Sequence, residues 1–453
     1  MVFSGPTFPH LTVVKKGTSF YIMDNPLSKE TVNPNKGWLV TAAGTAALLA
    51  LGVLYSWSVI RANIPASWGW AESQKTLPYS VAVVVFSIMT LVGARLLKKI
   101  GPRLVVSIGG VLCGLGMIIS SFSTVPWVYT LAFGILLGSG IGFVYASASP
   151  AALRWFPPSK AGLVSGIVVA GFGMGSVWVA PLSRAMIVNL GLQTTMLYLG
   201  IGMLVAVVGF AQFLQYPPDN YVKTVSSLKE AVKIVNRVDF EPKQTVKTWQ
   251  FYFLWITFAL GSGAGLMVIG NLASIVAEQI GLVAVSAIAV SALAIGNGAG
   301  RIFYGMLSDK IGRKAVLLIA FVFQAILIMI LRSVVVGSPL ASIPVLMVLV
   351  ALIGANYGAN LAVFPVITKD FYGPTNFAIN YGIVYTAWGL GGFMISQLGS
   401  TFKDLFGDFN NAYLMASGIL VVAAVMMAFI KSPQPQPAEA ALDGDPVPVP
   451  AGK

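Results

Sequence analysis

The stretch AIGNGAGRIFYGMLSDKIGRK, residues 294–314, carries an arginine, Arg301, after a long run of apolar and small residues that begins near Leu282. An ionisable side chain inside such a run is costly in hydrocarbon and usually marks function. The stretch then breaks into a charged turn made of Asp309, Lys310, Gly312, Arg313 and Lys314. An apolar run ending in a charged turn reads as the edge of a membrane crossing, so the fold depends on how often the pattern recurs.

It recurs along the whole chain. With 57% hydrophobic and 9% charged residues, a 453-residue chain does not have the composition of a soluble domain. Apolar runs of about 20 residues, enough to cross roughly 30 Å of hydrocarbon, lie near 38–62, 78–97, 104–123, 127–152, 162–187 and 194–216. Six more lie near 249–276, 282–307, 314–332, 341–367, 378–401 and 409–430. The pattern predicts an all-α polytopic membrane protein with 12 transmembrane helices. Residues 1–36 are polar and lack the apolar core of a cleaved signal peptide, and Met23 is an alternative start.

Several function classes fall away. The single cysteine, Cys113, lies in an apolar segment and the lone histidine, His10, in the N-terminal tail. Neither a disulfide framework, a thiol metal site nor a histidine proton relay is expected, and no metal or cofactor. GIVVAGFGMG at 166–175 contains a G-x-G string, but it sits inside an apolar span with no strand before it, so it does not read as a nucleotide site. No Walker sequence is present, which excludes direct driving by ATP, and the chain is not expected to be an enzyme. The net charge of +13 is spread among short loops, the pattern of a membrane protein and not of a nucleic-acid binder.

Those loop charges set an orientation. Arg95, Lys98, Lys99 and Arg103 follow the second span, Arg154 and Lys160 the fourth, Lys310, Arg313 and Lys314 the eighth, and Lys369 the tenth. The opposite loops hold Arg61, Lys75 and Lys403, with Arg184 and Arg332 near span ends. The positive-inside rule then places both termini in the cytoplasm of a multi-pass protein of the cell membrane. The expected organisation is a cytoplasmic tail (1–37), a six-helix bundle (38–216), a cytoplasmic linker (217–248), a second six-helix bundle (249–430) and a C-terminal tail (431–453). Internal repetition agrees with two halves: KKIGPR at 98–103 matches DKIGRK at 309–314, and RWFPPSKAGLVSG at 154–166 is echoed by DFYGPTNFAINYG at 370–382.

Gly305, Asp309, Lys310, Gly312, Arg313 and Lys314 resemble the loop signature G-x-x-x-D-[RK]-x-G-[RK]-[RK] of the major facilitator superfamily. Within it, GVLYSW (52–57), RWFPPSKAGLVSG, SDKIGRK (308–314) and NYG (380–382) resemble the oxalate/formate antiporter family, itself similar to monocarboxylate transporters. The resemblance covers most of residues 38–430. It implies transport of a small organic anion across the lipid bilayer, with Asp309 and Arg313 in a gating turn. The first-half copy has Lys98 where the acidic residue would be.

Two placements are open to Arg301. It stands about 12 Å along the helix from Asp309, within snorkelling distance of the interface. Alternatively it faces a central cavity, where a guanidinium holds a carboxylate through two parallel hydrogen bonds. Gly296, Gly298 and Gly300 thin the helix around it, and the resemblance implies a substrate-binding arginine on this helix. Asn297, one turn earlier on the same face, stands where monocarboxylate transporters often have an aspartate that takes part in proton coupling. It serves either helix packing or substrate contact.

The resemblance also implies a lysine on the eleventh helix of dicarboxylate carriers, and the matching position is Trp388. One buried cation balances one negative charge, which favours a monocarboxylate such as lactate. Packing against Gly389 and Gly391 is the other reading of Trp388. Leu54, Tyr55, Tyr145, Asn356, Tyr357, Asn360 and Tyr385 are further candidate lining residues, and phenols combine an apolar wall with a hydrogen-bonding tip. Tyr145 and Tyr357 hold equivalent places in the two halves, and the resemblance implies substrate contact for both. The acidic residues all fall in loops, tails or span ends, so proton-linked symport is favoured only narrowly over anion exchange. A drug or sugar exporter, or a sensor without a transport cycle, are alternatives of other classes.

Overall fold

The computed structural model describes residues 12–16, 19–23, 35–156, 160–218, 223–225, 239–281, 283–373 and 376–433. His10, much of the 217–248 linker and the C-terminal tail past 433 lie outside the described residues. In hydrocarbon, backbone polar groups must be satisfied within the segment, and the chain does this with helices. The first crossing is made by α1 (Asn35–Ala50) and α2 (Trp57–Ala62), separated by a broken stretch. The helix α3 (Glu72–Ser121) provides two crossings, because Gly101 (φ +78°, ψ 168°) interrupts it before Pro102. There follow α4 (Pro126–Leu153), α5 (Leu163–Leu190) and α6 (Leu192–Ala211). The second half is α7 (Trp249–Ile280), α8 (Val283–Ile311), α9 (Arg313–Arg332), α10 (Ile343–Tyr372), α11 (Phe377–Phe406) and α12 (Asn410–Phe429). An even number of crossings returns both ends of the bundle to one face, the terminal face.

The duplicated turn seen in the sequence has a structural counterpart: Gly312, between α8 and α9, adopts φ +92° and ψ 152°, close to Gly101. A backbone in that region favours glycine, so the two copies of K-I-G serve the same reversal. Outside the membrane helices a small antiparallel sheet joins the N-terminal tail to the linker. Its strands are β1 (Thr12–Lys16), β2 (Ser19–Met23) and β3 (Lys223–Val225), in the order β1-β2-β3, with Thr12 opposite Met23 and Phe20 opposite Val225. The all-α reading places no strand in the tail or linker, yet the tail segments are rich in Val, Thr, Phe, Tyr and Ile, which suit a pleated surface.

Two features of the packing position the centre. First, α8 and α10 meet backbone to backbone. A Cβ at Gly296 or Gly300 would overlap the carbonyls of Ala351 or Ala355, and one at Gly354 or Gly358 those of Leu293 or Asn297. Small residues are what allow membrane helices to approach in this way, and the contact brackets Asn297 and Arg301. Second, the first crossing loses its regular bonding over 51–56, where Gly52 lies against Gly175 of α5. Discontinuous helices near the midplane are a recurrent way to build transporter sites. Here the break carries Leu54 and Tyr55.

Candidate functional site

Arg301 does not snorkel to the interface. Its side chain is 6% exposed, and Nη1 donates across the interface between halves to the Val169 carbonyl of α5 at 2.6 Å. Nε donates to Asn297 Oδ1, one turn away on α8, at 3.1 Å. Among the described residues, two neighbouring buried donors have no hydrogen-bond partner: Arg301 Nη2 and Asn297 Nδ2. Buried polar groups are nearly always bonded, so orphans at one place call for an explanation. Arg301 makes no ion pair among the described residues, and every described acidic residue lies at a helix end or in a loop.

An aromatic enclosure stands beside this cation, with walls from both halves. Trp388 on α11 donates from Nε1 to the Tyr357 hydroxyl on α10 at 2.8 Å, and the Tyr357 and Tyr55 hydroxyls lie 3.0 Å apart. The Arg301 guanidinium lies against Gly173 of α5, next in the chain to Phe172. Tyr145 stacks on Tyr385 at 5.8 Å and 9°, and Tyr385 on Trp388 at 5.2 Å and 6°. Phe86 of α3 meets Tyr145, Tyr385 and Trp388 edge to face, and Phe172 of α5 meets Tyr55 at 5.0 Å. One fixed cation, two unpaired donors and apolar rings can hold a small anion whose remaining surface is apolar.

The structure thus brings together Arg301, Asn297, Tyr55, Tyr145, Tyr357, Tyr385 and Trp388. Leu54 is fully buried in the broken stretch beside Tyr55. Asn356 is directed elsewhere: its Oδ1 accepts from the Tyr304 hydroxyl at 2.7 Å, and its Nδ2 donates to the Leu352 carbonyl at 2.9 Å. Asn360 faces Gly261 of α7, and its Oδ1 is unpaired. Of the gating candidates, Arg313 pairs with Asp309 at 2.5 Å and with Asp370 at 3.3 Å, all within the second half. Lys98 is exposed at the end of its crossing.

Sequence reasoning missed several participants. Phe86 and Phe172 look like any core or lipid-facing phenylalanine, and a backbone carbonyl such as that of Val169 has no sequence signature. Arg61, read from sequence as a loop cation, is in fact 1% exposed at the end of α2. Its Nη2 pairs with Glu72 at 2.7 Å, and Nη1 donates to Ser274 of α7 at 3.1 Å. Around it, on the face opposite the terminal face, the halves are tied by a polar layer. Asp404 of α11 accepts the backbone N–H groups of Glu72 and Ser73 at 2.9 Å each. The Thr76 and Ser400 hydroxyls lie 2.6 Å apart, Ser400 donates to Asn271 at 3.1 Å, and Gln397 donates to the Ser73 carbonyl at 3.0 Å.

Comparison with known proteins agrees with this architecture. The chain is 28% identical over 416 residues to the oxalate:formate antiporter of Oxalobacter formigenes, covering 90% of this chain and 95% of that protein. It is 28% identical over 355 residues to the uncharacterized MFS-type transporter YhjX of Escherichia coli (strain K12), covering 78% and 85%. It is 21% identical over 434 residues to monocarboxylate transporter 12 of Homo sapiens, covering 89% and 82%. The sequence profile of the Major Facilitator Superfamily matches residues 42–293 and 254–451. Two halves of six crossings around a central site, and a profile match over most of the chain, place this protein in the Major Facilitator Superfamily, whose members are membrane transporters and not enzymes.

Proposed function

We propose that the chain is a secondary active transporter of small, lactate-like monocarboxylates, working by alternating access, with Arg301 as the carboxylate ligand and a proton as co-substrate. The observation that carries this reading is the buried guanidinium, which has no carboxylate partner among the described residues and whose unpaired Nη2 neighbours the unpaired Asn297 Nδ2. Such a charge is expensive in a low-dielectric interior unless an anion joins it. One cation matches one carboxylate, and Trp388, with its N–H engaged by Tyr357, offers no second charge. The names of two relatives, the oxalate:formate antiporter and monocarboxylate transporter 12, support an organic anion as cargo.

In this reading residues 38–216 and 249–430 rock about the site, both termini and the 217–248 linker are cytoplasmic, and the protein resides in the cell membrane. Asp309, Arg313 and Lys98 belong to the cytoplasmic gate region, and the polar layer around Arg61 to the outer gate.

Anion exchange is the second reading, and the same observation favours it. An empty carrier that must bury an unpaired guanidinium reorients reluctantly, whereas a loaded one is neutral at the centre. The deciding experiment is uptake of labelled lactate into proteoliposomes by the native protein and by Arg301→Ala. Saturable uptake that requires Arg301 supports the reading, and equal uptake by both proteins would falsify it.

A further inference from the structure

The seat of Arg301 is built by the opposite half of the molecule. Its guanidinium lies over Gly173 of α5: an ideal Cβ on that glycine would stand 3.2 Å from Cζ, 3.2 Å from Nη2 and 3.3 Å from Nε. Gly173 is also four residues after Val169, the residue whose carbonyl accepts from Nη1. In an α-helix a side chain leans over the turn before its own Cα. A side chain at 173 would therefore cover the turn that presents the Val169 carbonyl, and glycine leaves it bare. A helical carbonyl already bonded along its helix still has a second lone pair, which here takes Nη1.

Resting on the monocarboxylate reading of Arg301, we infer that Gly173 is a positioning residue for that site. Its missing side chain lets α5 hold the guanidinium by Nη1, while Asn297 holds Nε. The plane of the guanidinium is then set from two helices of different halves, and Nη2 stays unpaired for the carboxylate beside Asn297 Nδ2. The same geometry makes the site a property of the interface and not of α8 alone. It differs from the contacts of Gly296 and Gly300, which let α10 approach α8, and of Gly298, whose Cβ would meet the Met174 side chain.

The test combines a kinetic and a substrate-free measurement. Gly173→Ala should raise the KM for labelled lactate about tenfold, by weakening a charge-assisted hydrogen bond and turning the guanidinium. The maximal rate should change less than about threefold, because Arg301 remains. Gly166→Ala on the same helix, where a Cβ meets nothing within 4 Å, should leave both parameters unchanged. In the absence of substrate, thermal unfolding of native protein, Gly173→Ala, Arg301→Met and the double variant forms a cycle. Gly173→Ala should lower Tm when Arg301 is present and not in the Arg301→Met background, where the tight contact with the guanidinium is gone and alanine suits the helix better. An unchanged KM, or additive Tm shifts, overturns the positioning role. If the native protein shows no Arg301-dependent lactate uptake, the monocarboxylate reading fails, and the cycle alone then supports or overturns the seat.

Discussion

The indole of Trp388 donates to the Tyr357 hydroxyl at 2.8 Å, so α10 and α11 are joined at the position where the resemblance to dicarboxylate carriers implies a lysine. The ring is fully buried and stacked on Tyr385. An occupied N–H and two apolar faces leave that end of the enclosure with neither charge nor a free donor. This relationship, with the single guanidinium opposite, sets the expected selectivity.

Acetate, lactate and pyruvate should therefore compete for labelled lactate uptake better than oxalate or malonate. Trp388→Lys should reverse part of this preference by supplying a charge for the second carboxylate. Strong oxalate inhibition of the native protein, with weak inhibition by monocarboxylates, would remove the single-cation argument.

Replacing the guanidinium itself separates charge from geometry. Arg301→Ala should reduce transport by about a hundredfold or more, as expected for loss of a buried charge-assisted pair. Arg301→Lys should also be poor, because an ammonium cannot span Asn297 Oδ1 and the Val169 carbonyl while presenting a planar edge to substrate. Membrane insertion, followed by expression and gel-filtration profile, should survive both substitutions.

Tyr357→Phe removes the shared hydroxyl. It leaves the Trp388 N–H unpaired and breaks the 3.0 Å link to Tyr55 across the halves. A cost of about 1–3 kcal/mol for an unsatisfied buried donor should appear as a lower Tm in detergent. A native Tm in this variant would mean that the hydroxyl chain contributes little to joining the halves.

Much of this site was legible in the chain, for a physical reason. Arginine, asparagine and tryptophan are conspicuous within apolar spans, and helical spacing alone puts Asn297 on the face of Arg301. Legibility stopped where identity is uninformative. Phe172 and Phe86 resemble their lipid-facing counterparts, and the Val169 carbonyl and the bare Cα of Gly173 belong to the backbone. Asn356 was a candidate lining residue along with Tyr357, yet a step of one residue turns it about 100° around α10, towards Tyr304. Arg61 stood next to a turn and passed for a loop cation, since Ser274 is 213 residues away in the chain. The two-half fold was plain because the apolar runs and duplicated turns are long signals. The sheet of β1, β2 and β3 was not, because its strands are short and one pairing joins segments far apart.

The polar layer on the face opposite the terminal face yields a gating prediction. The helix α3 starts at Glu72 behind the N-cap Ala71, whose methyl group cannot accept a hydrogen bond, and its first N–H groups are bonded instead by Asp404 from the other half. Asp404→Asn offers one oxygen where there were two and removes the charge at a helix N-terminus. The halves should then part more readily on that face. With Cys113 buried, a cysteine introduced by Ser400→Cys should react several-fold faster with a membrane-impermeant thiol reagent when Asp404→Asn is also present. Equal labelling rates would assign closure to the remaining contacts.

Coupling is decided by whether the carboxylate travels with a proton. If one anion moves with one proton, the cycle carries no net charge. An imposed membrane potential should then have little effect, and an inward proton gradient should drive accumulation. Exchange needs a counter-anion loaded inside the vesicle and no pH gradient, and it proceeds with internal lactate against external labelled lactate. Asn297→Asp sharpens the distinction. Asn297 Oδ1 already accepts from Arg301 Nε at 3.1 Å, so a carboxylate there would pair with the guanidinium and compete with substrate unless protonated. Protonation releases Arg301, so activity should rise as pH falls, and the transport optimum of Asn297→Asp should move towards acid relative to the native protein. An active Asn297→Asp protein with an unchanged pH profile would mean that residue 297 does not share the substrate's ligand, and the recognition face of α8 would have to be assigned to other residues.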